Sequence, residues 1–257
     1  MMARLLDVAG KGWRYSVAIA AEPARTPFLV WNTVVQKAHL GELLKLNEHR
    51  KWLQSAVVRT VIDVGANAGQ FSSAIRCFLP EAQIYAFEPL PDCYEALCRR
   101  LANRGRFQGF CTAVGAESGE VTFWRSEFAK SSSVLPMTKL HKEAFPWSKG
   151  ATELKVPQCR LDDCLAKMQL ARNVLLKIDV QGYELQVLQG AGELLDEVKY
   201  ALVEASFQKL YEGQGTFHQV YELMRAQGFD YAGNFEQLLS PVDSTILQAD
   251  GLFVRRS

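Results

Sequence analysis

A chain of 257 residues, 48% hydrophobic and 22% charged, is sized for one large α/β domain with an extension, or for two small domains, and it can bury a full core. Its 29 Lys+Arg against 28 Asp+Glu leave a formal charge of +1, which excludes a global field drawing the protein to nucleic acid or to a membrane surface. No segment approaches a membrane span, Arg4, Asp7, Lys11 and Arg14 interrupt any signal-peptide core, and the six cysteines form no C-x-x-C pair, so a cytoplasmic protein with reduced thiols is expected.

Residues 1–28 mix Gly, Pro and charges without clean periodicity. Leu29 to Leu53 reads as a helix whose apolar face (Val30, Val34, Val35, Ala38, Leu43, Leu44, Leu53) is interrupted at Gly41. Residues 1–55 are expected to form a helical cap, with residues 56–257 as the main domain. Trp13, Trp31 and Trp52 either line a substrate entrance or pack into that cap.

Thr60 to Ser73 (TVIDVGANAGQFSS) reads as strand, loop and helix. Thr60, Val61 and Ile62 suit a buried strand, Gly65 and Gly69 bracket a turn, and Gln70 to Leu79 leaves it as a helix ended by Pro80. The loop through Gly65, Ala66, Asn67 and Gly69 offers backbone N–H groups at a helix N-terminus, and glycine allows a ligand close. Asp63 would repel a pyrophosphate there, but it suits a ligand carrying both an ammonium and a carboxylate, such as the methionine end of S-adenosylmethionine. The D-x-G-x-x-x-G spacing also departs from the dinucleotide fingerprint, and no G-K-[ST] follows it, which weakens NAD and nucleoside triphosphate readings.

Gln83 to Phe87 is a strand ending in Glu88-Pro89, about twenty residues past the glycines, where a ribose-binding acid is expected. Asp92 is read as capping a helix to Asn103, and a third strand from Phe107 to Val114 brings Ala113 and Val114 to face an adenine. Gly119 to Trp124 alternates as a strand, and Lys130 to Gly150 reads as an irregular, lid-like loop. Its Lys130, Lys139, Lys142 and Lys149 either favour an anionic substrate or form a solvated face. Leu154 to Cys159 is a strand, and a helix runs from Leu161 to about Leu170. Val174 to Ile178 is a buried strand ending in Asp179, Glu184 opens the next helix, and Lys199 to Val203 ends in Glu204. A helix from Thr216 to Gln227 and strands near Phe229 to Tyr231 and Gly251 to Arg255 close the chain. Acids at the C-terminal ends of core strands (Asp63, Glu88, Asp179, Glu204) converge on one crevice, the ligand face of an open α/β sheet.

With these motifs assembled, the sequence resembles the FkbM family of S-adenosylmethionine-dependent methyltransferases. The likeness runs in the family's order through VIDVGANAGQFS (61–72), FEP (87–89), SSSVL (131–135), LLKIDVQGYELQVLQGA (175–191), VEASFQKLYEGQ (203–214) and LFVRR, covering residues 57–256. Cys111 departs from it, standing where members often carry Asn. The resemblance implies a Rossmann-like class I fold with a seven-stranded, mostly parallel sheet, helices on both faces and an antiparallel last strand. It also implies O-methylation of a hydroxyl on a sugar, glycan or small metabolite.

On that reading Asp63, Gly65, Ala66, Asn67, Gly69, Glu88, Pro89, Ala113, Val114 and Asp179 hold the cofactor. Asp179 is the first choice for the base or substrate-orienting acid, Glu204 the second and Glu184 the third. If their strands are adjacent, Asp179 and Glu204 start about 5 Å apart, close enough to share a proton or a divalent cation. His39, His49, His141 and His218 show no metal-ligand spacing, so no metal ligand is assigned. A cofactor-binding scaffold or sensor is the alternative function, and the oligomeric state is left open, a dimer included.

Overall fold

The computed structural model describes residues 25–148 and 150–256. Its strands, in chain order, are β1 (Thr60–Val64), β2 (Gln83–Phe87), β3 (Phe107–Phe110), β4 (Ala113–Val114), β5 (Gly119–Ser126), β6 (Ala151–Cys159), β7 (Val174–Ile178), β8 (Val198–Ser206), β9 (Phe229–Leu239) and β10 (Ile246–Arg255). Seven of them form one sheet in the order β3-β2-β1-β7-β8-β10-β9, with β10 antiparallel to both of its neighbours and the remaining strands mutually parallel. This is the seven-stranded, mostly parallel Rossmann-like sheet that the resemblance implies. The reversal of strand order between β1 and β7 opens the crevice in which such sheets bind ligands.

β1 and β7 are buried along their whole length because helices cover both faces, and their β-branched and leucine-rich runs fit that burial. One face (Ile62, Val64, Leu176, Ile178, Val203) packs on Leu188, Leu194 and Met224. The alternate residues Val61, Ile84, Leu175 and Leu202 pack on helix Gln70–Phe78 and on the N-terminal helices through Phe71, Ile75, Leu29, Leu43 and Leu53. Residues 29–56 therefore share a core with the sheet.

Several expected elements shift. The segment 29–53 is three helices, Thr26–Val34, Leu40–Glu48 and Arg50–Ala56, and the first break lies before Leu40, because the His39 ring accepts the Glu42 N–H and caps the second helix. Gly41 sits inside that helix. The third strand splits at Cys111: β3 stays in the main sheet, whereas β4 pairs with β6 in a separate three-stranded sheet with β5. Asp92 is no cap; helix Pro91–Leu101 begins at its proline, and Asp92 instead takes both guanidinium N–H groups of Arg125 at 2.8 and 2.6 Å. β9 and β10 form a long hairpin, so Glu204 lies within β8, paired with Asp250.

The segment 130–148 is ordered, carrying helix Lys139–Ala144 and bridges from Ser133 to Trp124 and from Met137 to Tyr211. Trp31 is exposed, and Trp52 packs edge-on against Tyr200 and Phe235. Trp13 and Lys149 lie outside the described residues. Among the described residues no helix is long and apolar enough to cross a membrane, and no group of side chains is arranged to hold a metal ion.

Candidate active site

The glycine loop is fixed by backbone geometry. Gly65 (φ +84°), Asn67 (φ +48°) and Gly69 (φ +77°) turn the chain from β1 into the following helix, and a Cβ on Gly65 would collide with the Asp179 carbonyl oxygen. The loop is thereby pressed against the end of β7. Glu88, buried at the end of β2, accepts the Asn67 N–H at 2.8 Å and the Leu90 N–H at 2.9 Å. Burial pushes its carboxyl up to about 7, against the pull of those two N–H groups. Gly65, Ala66, Asn67, Glu88, Pro89, Ala113 and Val114 all line one cavity of about 800 Å³. Gly69 does not line it and packs against Leu97. Cys111 turns its thiol to the Pro89 carbonyl at 3.9 Å.

Asp63 is placed differently from the sequence expectation. It is 0% exposed and outside the cavity lining, one register pair deeper than the loop and beside Lys177. Ser72 Oγ donates to its Oδ2 at 2.5 Å, Lys177 Nζ lies 3.9 Å from Oδ1, and Oδ1 has no hydrogen-bond partner. Burial raises its carboxyl above the usual range, with the ammonium opposing. Asp63 thus supports the cavity floor from beneath.

On the same face of the sheet, β7 delivers Lys177 and, just past its end, Asp179, while β8 delivers Glu204 and β10 delivers Asp250. Lys177 is 7% exposed in a strand otherwise wholly apolar, and its Nζ reaches Asp179 Oδ2 at 2.9 Å. Burial works against the Asp179 charge, but the ammonium overcomes it and holds this carboxyl below the ordinary range. Among the described residues no cation is bonded to Glu204, and Lys177 opposes its shift only from a distance. Burial and the neighbouring Asp179, Asp250 and Glu184 charges lift it well above the carboxylate range, and Asp250 is raised to about 7 by burial and Asp179. Gln181 donates to both Asp179 (2.9 Å) and Glu204 (2.7 Å), and Gln248 donates to the other Glu204 oxygen.

Glu184 is not part of this crevice. It is 3% exposed and folded back so that one oxygen accepts the Val180 N–H at 3.2 Å and the Gly182 N–H at 2.9 Å, which orders the turn after Asp179. Burial pushes it up to about 7.

The remaining walls come from the N-terminal helices, from the segment expected to be lid-like and its flank, and from the β9–β10 hairpin, whose contribution the sequence did not reveal. Helix Leu40–Glu48 supplies Glu42, Lys45 and Leu46, the β9–β10 hairpin supplies Phe235 and Glu236, and Lys45 pairs with Glu236. Phe128, His141, Phe145 and Trp147 form an aromatic side. His141 is 3% exposed, lowered to about 4 by burial and the Lys142 charge, and bonded through Nε2 to Ser148 Oγ at 3.2 Å. His39 caps a helix, His49 stacks on Phe235 and His218 pairs with Glu222 on the surface.

Of the 130–150 lysines, Lys130 alone among the described residues lines the cavity, whereas Lys139 is tied to Glu143 in solvent. The lining carries Glu42, Glu88, Asp179, Glu204, Glu236 and Asp250 against Lys45, Lys130 and Lys177, and because burial raises Glu88, Glu204 and Asp250 the two signs come close to balance and do not select an anionic acceptor. Ser131 and Ser132 line it, while Ser133 braces the Gln181 carbonyl at 2.7 Å.

The sequence matches the methyltransferase FkbM domain over residues 63–231. The chain belongs to the FkbM methyltransferase family. Methyltransferase sdnD of Sordaria araneosa is 33% identical over 193 residues, covering 66% of this chain and 73% of that protein. The 2-O-methyltransferase NoeI of Sinorhizobium fredii is 28% identical over 171 residues (64% and 70%), and the 31-O-demethyl-FK506 methyltransferase FkbM of Streptomyces tacrolimicus is 28% identical over 203 residues (70% and 76%).

This FkbM-family chain is a methyltransferase, and its methyl donor is S-adenosylmethionine. The residues present fit that group: a glycine turn faces the crevice, a buried carboxyl stands at the end of β2, and Phe87, Ala113 and Val114 give an apolar wall. The cavity volume lies at the upper end of the range of about 300–1,000 Å³ usual for small-molecule sites, consistent with a cofactor and an acceptor side by side.

Proposed function

We propose that the protein methylates a hydroxyl of a sugar-like, uncharged acceptor. One observation carries this reading: a single cavity joins the glycine loop and Glu88 to Asp179 and Glu204, two acids on neighbouring strands, the first held low by the Lys177 ammonium and the second raised by burial. The relatives NoeI and FkbM are O-methyltransferases by name, and the aromatic side formed by Phe128, Phe145 and Trp147 suits the apolar face of a ring.

S-adenosylmethionine, when bound, supplies an electrophilic methyl group on its sulfonium. Glu88 would accept from the ribose hydroxyls, Ala113 and Val114 would pack the base, and the Gly65–Asn67 backbone would meet the methionine end. Asp179, kept ionised by Lys177, accepts a hydrogen bond from the acceptor hydroxyl and orients it. Glu204, in the ionised form that the Gln181 and Gln248 amides stabilise, takes the hydroxyl proton, and its raised proton affinity favours that transfer. Helices within 26–56 close the acceptor side as a cap through Glu42, Lys45 and Leu46, so the division near residue 55 is one of function, not of core packing.

Calorimetry with S-adenosylhomocysteine and labelled methyl transfer into a panel of methyl glycosides test the reading. Glu88→Ala should weaken cofactor binding about tenfold or more, an effect of the size of one lost charge-assisted hydrogen bond. Glu204→Gln should keep binding but lower turnover by about 10²- to 10⁴-fold. A folded wild type that binds no S-adenosylhomocysteine, or a fully active Glu204→Gln, would refute it.

A further inference from the structure

Gln181 is held more firmly than a surface turn requires. Its backbone is left-handed (φ +59°), a conformation a non-glycine residue keeps only where its surroundings impose it, and Ser133 Oγ donates to its carbonyl oxygen at 2.7 Å. Its amide nitrogen lies 2.9 Å from Asp179 Oδ1 and 2.7 Å from Glu204 Oε2. The buried Tyr211 hydroxyl stands 3.0 Å from Oε1 and 3.2 Å from the Ser131 carbonyl oxygen.

This network decides which way the amide points. Carboxylate oxygens accept, so the two amide hydrogens face Asp179 and Glu204, and the carbonyl end is left for the one hydroxyl donor, Tyr211. Tyr211 is itself fixed against Gly182, whose absent side chain leaves room for the ring. A lysine at 181 would neutralise both acids and a glutamate would repel both. A neutral amide gives each one hydrogen bond and leaves their charges to other partners.

We propose that Gln181 is a positioning residue that holds Asp179 and Glu204 in their separate roles, the first as orienting anion and the second as proton acceptor, with Tyr211 locking its amide. The inference rests on the reading of Glu204 as the proton acceptor. The charged and titratable groups around Glu204 are Lys177 on β7, Asp179 just past its end, Asp250 on β10, Glu184 behind the turn and Tyr211. Among these groups Lys177 is the one cation, and it is bonded to Asp179. Gln181 and Gln248 are therefore what stabilises the ionised form of Glu204 directly.

Carbon-13 NMR of glutamate-labelled protein, with the Glu204 carboxyl assigned by its loss in Glu204→Gln, gives a readout independent of turnover. Removing a donor to the charged form raises a carboxyl pKa, so Gln181→Ala should move the Glu204 midpoint up by about one to two pH units. Gln181→Glu should move it the same way, and Tyr211→Phe should do so by less. The acid limb of the methyl-transfer profile should follow each shift, while S-adenosylhomocysteine affinity stays within about threefold. A Glu204 midpoint that stays put in Gln181→Ala and Tyr211→Phe overturns the proposal. Should Gln181→Ala not fold, Tyr211→Phe alone decides. If instead the midpoints move but the wild type transfers no methyl group, Gln181 keeps its electrostatic part and the acceptor reading of Glu204 is what fails.

Discussion

Gly65 is the residue at which loop and acid site are mechanically one. Its positive φ and the Asp179 carbonyl against its Cα leave no place for a side chain. Left-handed strain alone costs about 1–3 kcal/mol, and the collision adds to it. Gly65→Ala should lower the denaturation midpoint and abolish S-adenosylhomocysteine binding; an unchanged midpoint would show that the loop can swing away from β7. Glu184 makes a complementary case. Glu184→Ala leaves the Val180 and Gly182 N–H groups without their acceptor and should cost about 1–3 kcal/mol in urea denaturation. Glu184→Gln keeps an oxygen for them and should cost less than about 1 kcal/mol. At this scale the sequence was informative where a residue type is tied to a strand end, as with Glu88 and Asp179. Lys177 stayed hidden inside an apolar run, since nothing in VLLKI reveals that its ammonium meets Asp63 across the register as well as Asp179 two residues on. Gln181 and Asp250 were hidden for the same reason: their roles depend on partners far along the chain.

At the scale of elements, the order of strands and helices was legible because buried parallel strands are apolar runs bounded by glycine and acid. The edge was harder to read. β9 reads FDYAGNFEQLL, whose half-exposed face gives no continuous apolar signal, and only Phe229 to Tyr231 stood out. The split between β3 and β4 was missed because two strands of different sheets follow one another with two residues between them. The N-terminal helices were read as helical, but their packing was not legible, since an apolar face does not name its partner. That packing predicts the effect of Leu43, which is fully buried against the sheet-covering cluster. Leu43→Ala should destabilise the whole protein by about 2–5 kcal/mol in one cooperative transition. A separate early transition, with cofactor binding intact, would show instead that the helices unfold on their own.

Across the whole molecule the buried acids set how stability responds to pH. Glu88, Glu184 and Asp250 are each raised to about 7, chiefly by burial, so the native state holds protons that the unfolded chain has released. Such a group contributes stability that is complete below its unfolded value of about 4 and is lost as pH rises through its folded value. His141, lowered to about 4 by burial, works in the opposite sense: its contribution is complete above about 6.5 and fades as pH falls towards 4. Asp63 and Glu204 are raised in the same direction, so five carboxyls against one imidazole leave the carboxyl trend dominant between about pH 5 and 8. Denaturant midpoints measured over that window should therefore fall as pH rises. In Glu184→Gln the fall should be shallower, because one of these protons is no longer lost. Midpoints that rise steadily across the window, or a Glu184→Gln slope equal to that of the wild type, would mean that these carboxyls are already ionised in the folded protein. The crevice would then carry its negative charge openly, with Lys177 and Lys45 as its principal counterions.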